Sequence, residues 1–381
     1  MRAIVTGQVG VDKGPFLEAL QAEALRRGHD LQVCHVGRMM YAEAPDVPAG
    51  RILNLPINRL NALRRAVFHE ILRIAERHQH VLINTHATFR WKHGLFAAFD
   101  FDQIKAFNPD RYITLLDNVE SVHQRLLRDH DIDHTLKDIM VWREEEILAT
   151  EIIANITRGF GHFFMLGRGR STPNSETVYR LLFEPGRKKA YLSFPMTHVA
   201  DQPEILRKID DFKRSIQSHF TCFDPSDVDE YLLHIRAIRA MQEGQTTIEV
   251  AAAEGLISLK TSDVAQISGD ILGQIYARDF KMIDQSDLIL SIIPEMPGGT
   301  PAISSGVERE LHHAFEGGKE VFVLWLCRAT PSPFITETAT RVFTDLGQAI
   351  EYFKEKGYIS TAPLPAIATE LFPIKSRFDE T

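Results

Sequence analysis

The stretch Tyr276-Ala-Arg-Asp279-Phe-Lys-Met-Ile-Asp-Gln-Ser-Asp287 runs into an apolar segment at 288–293 and a Pro/Gly loop. Ser304-Ser-Gly306-Val-Glu308-Arg-Glu310 follows, then a second apolar segment, Val321-Phe-Val-Leu-Trp-Leu-Cys327. Neither apolar segment alternates with polar residues, the pattern of parallel strands buried on both faces. Between them a helix is expected from about Ser305. Leu311, Ala314 and Phe315 fall on one face, and Gly317-Gly318 ends it. Ser305 and Glu308 have capping-box spacing, which would commit Glu308 to the backbone. Glu310 lies one turn in, at the carboxyl end of a parallel strand, where open α/β sheets place their ligands. Gly306 would let a ligand approach the backbone closely. An acid at this point either does chemistry or complements the helix dipole, and spacing alone leaves both open.

Asp279, Ser286-Asp287, Gly306-Val-Glu-Arg-Glu310 and Gly318-Lys319 together resemble the nucleoside 2-deoxyribosyltransferase superfamily. Ser304-Ser305-Gly306-Val307-Glu308-Arg309-Glu310 is closest to its 2'-deoxynucleoside 5'-monophosphate N-glycosidase branch. The resemblance covers roughly 190–353. It implies that Glu310 holds the position of the family's nucleophile and Asp279 that of its acid partner.

Outside this stretch, 381 residues exceed one usual hydrophobic core, so two domains are expected. A hydrophobic content of 44% with 25% charged residues is that of a soluble globular chain, and a net charge of −8 gives no basic footprint for nucleic acid. Cys34, Cys222 and Cys327 are far apart in sequence and read as small hydrophobes in a reducing compartment. No apolar run reaches membrane-spanning length, and the opening Met-Arg-Ala-Ile-Val-Thr-Gly reads as a strand rather than a signal peptide. A cytoplasmic setting is expected. Sixteen histidines are scattered without a metal-binding spacing, so no metal site is assigned.

The first half alternates strands and helices. Ala3-Ile-Val-Thr6 is a strand, Gly7-Gln-Val-Gly10-Val-Asp12-Lys13-Gly14 a glycine loop, and 15–27 a helix. Further strands are expected at 31–36, 80–86, 111–117 and 162–167, with helices at 58–77, 118–129 and 135–156. This is a parallel α/β sheet. Strand, glycine loop and helix form the context of a phosphate-binding P-loop. Thr6-Gly-Gln-Val-Gly-Val-Asp-Lys13, Thr85-His86-Ala87 and Leu116-Asp-Asn-Val-Glu-Ser-Val-His-Gln-Arg-Leu-Leu-Arg128 resemble the adenylate kinase-like nucleoside monophosphate kinases, especially the archaeal type. The resemblance implies nucleotide contacts from Gly7, Gly10, Lys13, Arg125 and Arg128, with Mg and ATP as cofactors of a working kinase. The loop is degenerate, however. Asp12 stands where a glycine is expected, and Gly14 lacks the hydroxyl that would ligate Mg²⁺. Only Arg51 remains of two expected arginines near 51–54. Phosphoryl transfer and mere binding or assembly both stay open.

A boundary is placed at 185/186, giving a P-loop kinase-like domain at 1–185 and a deoxyribosyltransferase-like domain at 186–381. The fold class is therefore α/β with two doubly wound, Rossmann-like parallel sheets. A strand is read at 178–183 before the boundary, and a buried strand at 190–194 after it. That strand enters a loop whose polar residues Ser193, Thr197 and His198 would meet substrate in the resembled family. The glycine and arginine common in that loop are missing. Ser304, Ser305 and the helix start are thus expected to supply more of a phosphate contact. The acidic turn from Asp224 to Glu230 either contacts substrate or caps a helix. Residues 231–265 are expected to be mostly helical, and 295–301 forms a Pro/Gly loop that would serve as a lid.

The resemblance implies a retaining two-carboxylate reaction on an N-glycosidic bond, by hydrolysis or base transfer, with no cofactor. Glu310 would be the ionised nucleophile and Asp279 the group that protonates or orients the departing base. The expected substrate is a nucleoside or nucleoside 5'-monophosphate, and the resemblance implies a homo-oligomer. The alternatives are a nucleotide-binding sensor or scaffold without turnover, and a bifunctional kinase and glycosidase.

Overall fold

The computed structural model describes residues 1–91, 94–130, 134–169, 174–196, 199–252 and 254–359. The strands are β1 (Arg2–Thr6), β2 (Leu31–His35), β3 (His80–Asn84), β4 (Thr88–Trp91), β5 (Gly94–Ala97), β6 (Arg111–Leu116) and β7 (Phe163–Gly167). They continue as β8 (Lys189–Ser193), β9 (Thr221–Phe223), β10 (Thr247–Ala252), β11 (Gly255–Lys260), β12 (Leu288–Pro294), β13 (Glu320–Leu326) and β14 (Arg341–Phe343). The helices are α1 (Lys13–Arg26), α2 (Val36–Glu43), α3 (Ile57–Arg77), α4 (Phe101–Phe107), α5 (Val119–His130), α6 (Leu136–Thr157) and α7 (Ser175–Phe183). They continue as α8 (Pro203–His219), α9 (Tyr231–Gln242), α10 (Thr261–Gln266), α11 (Ser268–Asp284), α12 (Ser305–Glu316), α13 (Pro333–Thr336) and α14 (Leu346–Glu355).

Two compact units result, each around a five-stranded parallel sheet. The first comprises 1–183 and 226–276, the second 184–225 and 277–381. The boundary expected at 185/186 lies beside the first crossing. The chain then crosses again at 225/226 and at 276/277, the last inside α11.

In the first unit the strand order is β2-β3-β1-β6-β7. The chain leaves β1 toward one edge and later returns to its other side at β6, so the strand order reverses at β1. The loop after β1 therefore opens at the switch point where α/β sheets place ligands. The second unit has the order β14-β13-β12-β8-β9. Its reversal falls between β8 and β12, which pair from Leu288↔Ala190 to Ser291↔Ser193. All seven residues of β12 are buried, as its uninterrupted apolar run demands. Helix α8 lays Ile205, Ile209, Phe212 and Ile216 on the sheet at helical spacing. Each such burial contributes about 1.5–3 kcal/mol.

Three sequence expectations change. Residues 178–183 are not a strand but the end of α7, where Glu176 and Arg180 pair at i, i+4 while Val178, Leu181 and Leu182 are buried. Residues 231–265 are only partly helical. After α9, β10 and β11 form an antiparallel hairpin with Ile248, Val250 and Leu259 buried, a period-2 pattern in Thr247-Ile-Glu-Val250. Helix α12 is capped not by Ser305 but by Ser304, whose hydroxyl accepts from the Val307 amide at 3.2 Å, and Glu308 is exposed. The loop at 295–301 is closed by its own backbone bonds, Met296 N to Thr300 O at 2.8 Å and Gly299 N to Met296 O at 3.0 Å. Glu295 pairs with Arg328.

Candidate active site

In the second unit, Glu310 and Asp279 come from the helices on either side of β12 in sequence, α12 and α11. Both are nine-tenths or more buried. The first strand of this sheet completes the arrangement. Tyr191 and Ser193 are two apart on β8 and therefore share one face. The Tyr191 hydroxyl donates to Glu310 Oε1 at 2.9 Å and the Ser193 hydroxyl to Oε2 at 2.6 Å. The carboxylate is thus fixed at both oxygens beside the β8/β12 switch point. Burial, and then the charge of Asp279, push the Glu310 carboxyl up to about 8, while the bonds from Ser193 and Tyr191 pull the other way. The Tyr191 phenol is raised well above its usual value by burial and by the Asp279 and Glu310 charges, so it remains a donor.

This revises the expected protonation. Glu310 is six residues into α12, beyond the first turn where the dipole acts, and burial dominates. In the resting protein at neutral pH Glu310 is mostly protonated. With a value near 8, only about a tenth is ionised at pH 7.

Ser193 is fully buried and its hydroxyl is committed to Glu310, whereas Ser305 and Gly306 stand exposed in the first turn of α12 and Ser304 caps it. Thr197 and His198 lie outside the described residues. Asp224, at the end of β9, is buried and ion-paired with Lys213 at 2.6 Å. Tyr191 was not singled out from sequence. The signal available was its position two residues before Ser193 on a buried strand. Ser291, in register with Ser193, is fully buried, and its hydroxyl has no partner among the described residues.

In the first unit the loop after β1 has the expected strand–loop–helix form. Gly7 takes φ 142°, and a Cβ there would meet the Leu115 carbonyl oxygen at 2.6 Å, so only glycine fits. Gly10 is at φ 90°, tight against Val122 of α5. Asp12 adopts a left-handed conformation (φ 58°) that few residues but glycine, Asn and Asp accept, and its carboxylate pairs with Arg168 at 3.2 Å. Lys13 is buried and turned back toward the strand, donating to Gly7 O at 2.6 Å. His86 Nδ1 lies 2.7 Å from the same carbonyl and 3.3 Å from the Lys13 ammonium. Burial, and then the nearby lysine, hold His86 well below its ordinary value, so it is neutral and donates to Gly7 O. Burial lowers Lys13 to about 8, opposed by Glu146 and Asp12.

Glu146 is fully buried. Its oxygens accept from the Gly7 amide (3.0 Å), the Ala87 and Thr88 amides (2.8 and 2.7 Å) and the Thr88 hydroxyl (2.7 Å). It ties the glycine loop to the loop after β3. Arg125 donates to Gly10 O and to Asp117 at 2.8 Å, and Arg128 pairs with Asp129 and with Glu254, next to the turn of the β10–β11 hairpin. Glu254 also lies 3.6 Å from Arg125 Nε. Every basic group expected to meet phosphate thus already faces an acceptor of this chain. Nothing in the sequence signalled Glu254, which is 126 residues from Arg128 (254 − 128). Among the described residues no group of three His, Cys, Asp or Glu gathers as a metal site, and no helix is long and apolar enough to cross a membrane.

Comparison with known proteins gives three findings. A family described as an AAA domain matches residues 6–143. Adenylate kinases from Pyrococcus furiosus and Pyrococcus abyssi are 26% and 28% identical over 159 residues, covering 40% of this chain and 78% of theirs. A solved 2-deoxyribosyltransferase from Bacillus psychrosaccharolyticus aligns with 46% of this chain and 99% of its own, at 18% identity and a TM-score of 0.29. The chain thus begins with an adenylate kinase-like P-loop region, as the glycine loop and the segment 116–128 indicated.

Proposed function

We propose that the second unit cleaves the N-glycosidic bond of a nucleoside or nucleoside 5'-monophosphate. The observation that carries the reading is the buried pair Asp279 and Glu310, with Glu310 held at both oxygens by Tyr191 and Ser193 beside the switch point. The motif Gly306-x-x-x-Glu310 with an upstream Asp279 supports it.

Glu310 attacks the anomeric carbon as the carboxylate. A glycosyl ester forms as the C–N bond breaks, and the bonding pair leaves with the base. A protonated Glu310 is not nucleophilic, so its proton must first leave. That proton leaves to solvent; Asp279, whose charge acts on Glu310, orients the departing base, and water supplies the proton that the base takes up. Water, giving up a proton to solvent, then attacks the anomeric carbon and displaces the Glu310 carboxylate, releasing the sugar, or a second base takes the place of water. Tyr191 and Ser193 hold the carboxylate as its charge is lost to the ester bond. The exposed Ser305 and Gly306 at the start of α12 are suited to a 5'-phosphate.

No cofactor enters these steps. The first unit does not fit Mg²⁺ and ATP as a phosphoryl donor site. The position after Lys13 is Gly14, which has no hydroxyl, Asp12 adds a negative charge to the loop, and the Lys13 ammonium is bonded to Gly7 O. This favours, for the first unit, nucleotide binding or assembly without phosphoryl transfer. A wholly non-catalytic sensor is the second reading of the chain, and the bifunctional kinase reading falls behind both.

The test is incubation with deoxyribo- and ribonucleoside monophosphates and the free nucleosides, with free base followed by chromatography. Base release that Glu310→Ala and Glu310→Gln abolish, with the far-UV spectrum unchanged, is expected. Full activity in either variant would sink the glycosidase reading, and binding without release would move it to the sensor.

A further inference from the structure

Arg64, in the middle of α3, is 4% exposed. Its Nη1 is shared at 3.3 Å between Asn61 Oδ1 and the Ala97 carbonyl, and its Nη2 has no partner among the described residues. Nor does any described carboxylate pair with it. Asp100 acts on it from a distance only. That carboxylate is engaged by Arg65 Nε at 3.2 Å and by the amides of Asp102 and Gln103 as the cap of α4. The guanidinium also stands 5.7 Å from the centre of the Phe89 ring. A buried cation without a counter-charge is costly to keep, and replacing buried charge by a well-packed apolar side chain is often neutral or stabilising.

The cavity beside it gives the cost a use. About 250 Å³ opens between α3 and the segment from β5 to α4, lined by Arg64, Arg65 and Asn61 on one side and Phe96, Phe99 and Asp100 on the other. That is the room of about eight waters, enough for an acidic group and one ring. Two basic side chains and an amide face two aromatic rings, which suits a ligand with an acidic end and a flat body.

We propose that this pocket binds a small phosphate monoester or carboxylate whose acidic oxygen pairs with Arg64 Nη2 while Phe96 and Phe99 wall its body. The site is separate from the Glu310 pair and does not depend on the glycosidase reading. Inorganic phosphate, phenyl phosphate and benzoate are the probes, titrated calorimetrically into the full chain. The first two against the third separate a phosphate ligand from a carboxylate. One aromatic probe is expected to bind saturably and at least tenfold more tightly than inorganic phosphate. Arg64→Met should weaken that probe more than tenfold and at the same time raise the Tm of the ligand-free protein. Phe99→Ala, at the pocket wall, should weaken the aromatic probes and spare inorganic phosphate, and it serves if Arg64→Met does not fold. Absence of binding by all three probes would overturn the proposal. So would binding that survives both Arg64→Met and Phe99→Ala, or an Arg64→Met protein that folds with a lowered Tm.

Discussion

Glu310 illustrates how one side chain can be prepared for chemistry at the expense of stability. Its folded value of about 8 stands above the 4.5 of an ordinary glutamate, with burial the main cause. The native state therefore binds more protons than the unfolded state between pH 4.5 and about 8, and stability falls as pH rises through that window. Glu310→Gln removes the ionisation. It should be more stable than the wild type above pH 8, by up to about 4–5 kcal/mol, and close to it below pH 4.5. Urea unfolding of both proteins at pH 4.5 and pH 9 checks this, and an equal difference at both pH values would contradict it. The same value sets the rate. If Glu310 attacks as the carboxylate, kcat/KM should climb about tenfold per pH unit below 7 and level off above 8. Tyr191→Phe withdraws a donor from Oε1, which favoured the ionised form, so the midpoint should move to higher pH. A flat profile between pH 6 and 9 would remove Glu310 as the nucleophile.

At the scale of elements, the helix α12 shows what the sequence could and could not convey. Its span and its buried Leu311 and Ala314 were legible from apolar spacing, whereas Phe315, read onto the same face, is 51% exposed. The cap was off by one residue. Two serines are adjacent, and which one caps depends on where the chain turns from the extended backbone of Ser304 (φ −107°, ψ 158°) into the helix. Ser304→Ala should therefore cost about 1 kcal/mol, and Ser305→Ala only a few tenths, by thermal unfolding. Equal effects would mean that the Ser304 bond to Val307 contributes little. Strands β12 and β13 were readable because burial on both faces writes itself as an unbroken apolar run. Tyr191 was readable in principle from the period of β8. The carboxylates Glu146 and Glu254 were not, because each meets its partners across more than fifty residues and nothing local marks them. Val178-Tyr-Arg-Leu-Leu-Phe183 reads as a strand but forms the end of α7, because a segment this short suits either period.

For the whole molecule, a single cut at 185/186 separates the two sheets but not the two units. Residues 226–276 leave the second unit after β9 and pack with the first, and the return lies within α11. The fastening is an ion pair between Arg143 of α6 and Glu230, at 3% and 0% exposure, with Nη1 to Oε1 at 2.7 Å and Nη2 to Oε2 at 2.9 Å. Glu230 Oε1 also accepts the Val119 amide at the start of α5, and Gln274 accepts from Arg143. The acidic turn that the sequence left between substrate contact and capping thus serves, through Glu230, to lock the inserted segment onto the P-loop region. Removing Glu230 strands a buried guanidinium and an amide. Glu230→Ala should destabilise the first unit by about 3–5 kcal/mol, whereas a joint Arg143→Met, Glu230→Met replacement should cost much less. A fragment ending at residue 185 has the same defect as Glu230→Ala and should express as an aggregating or loosely packed chain. A rejoined fragment, in which 226–276 follows 1–183 through a short Gly/Ser linker, should recover cooperative unfolding. Comparing these two fragments by near-UV circular dichroism and urea titration decides the matter, because a cooperative, soluble 1–185 fragment would show that the inserted segment is an ornament on the P-loop region rather than part of its core.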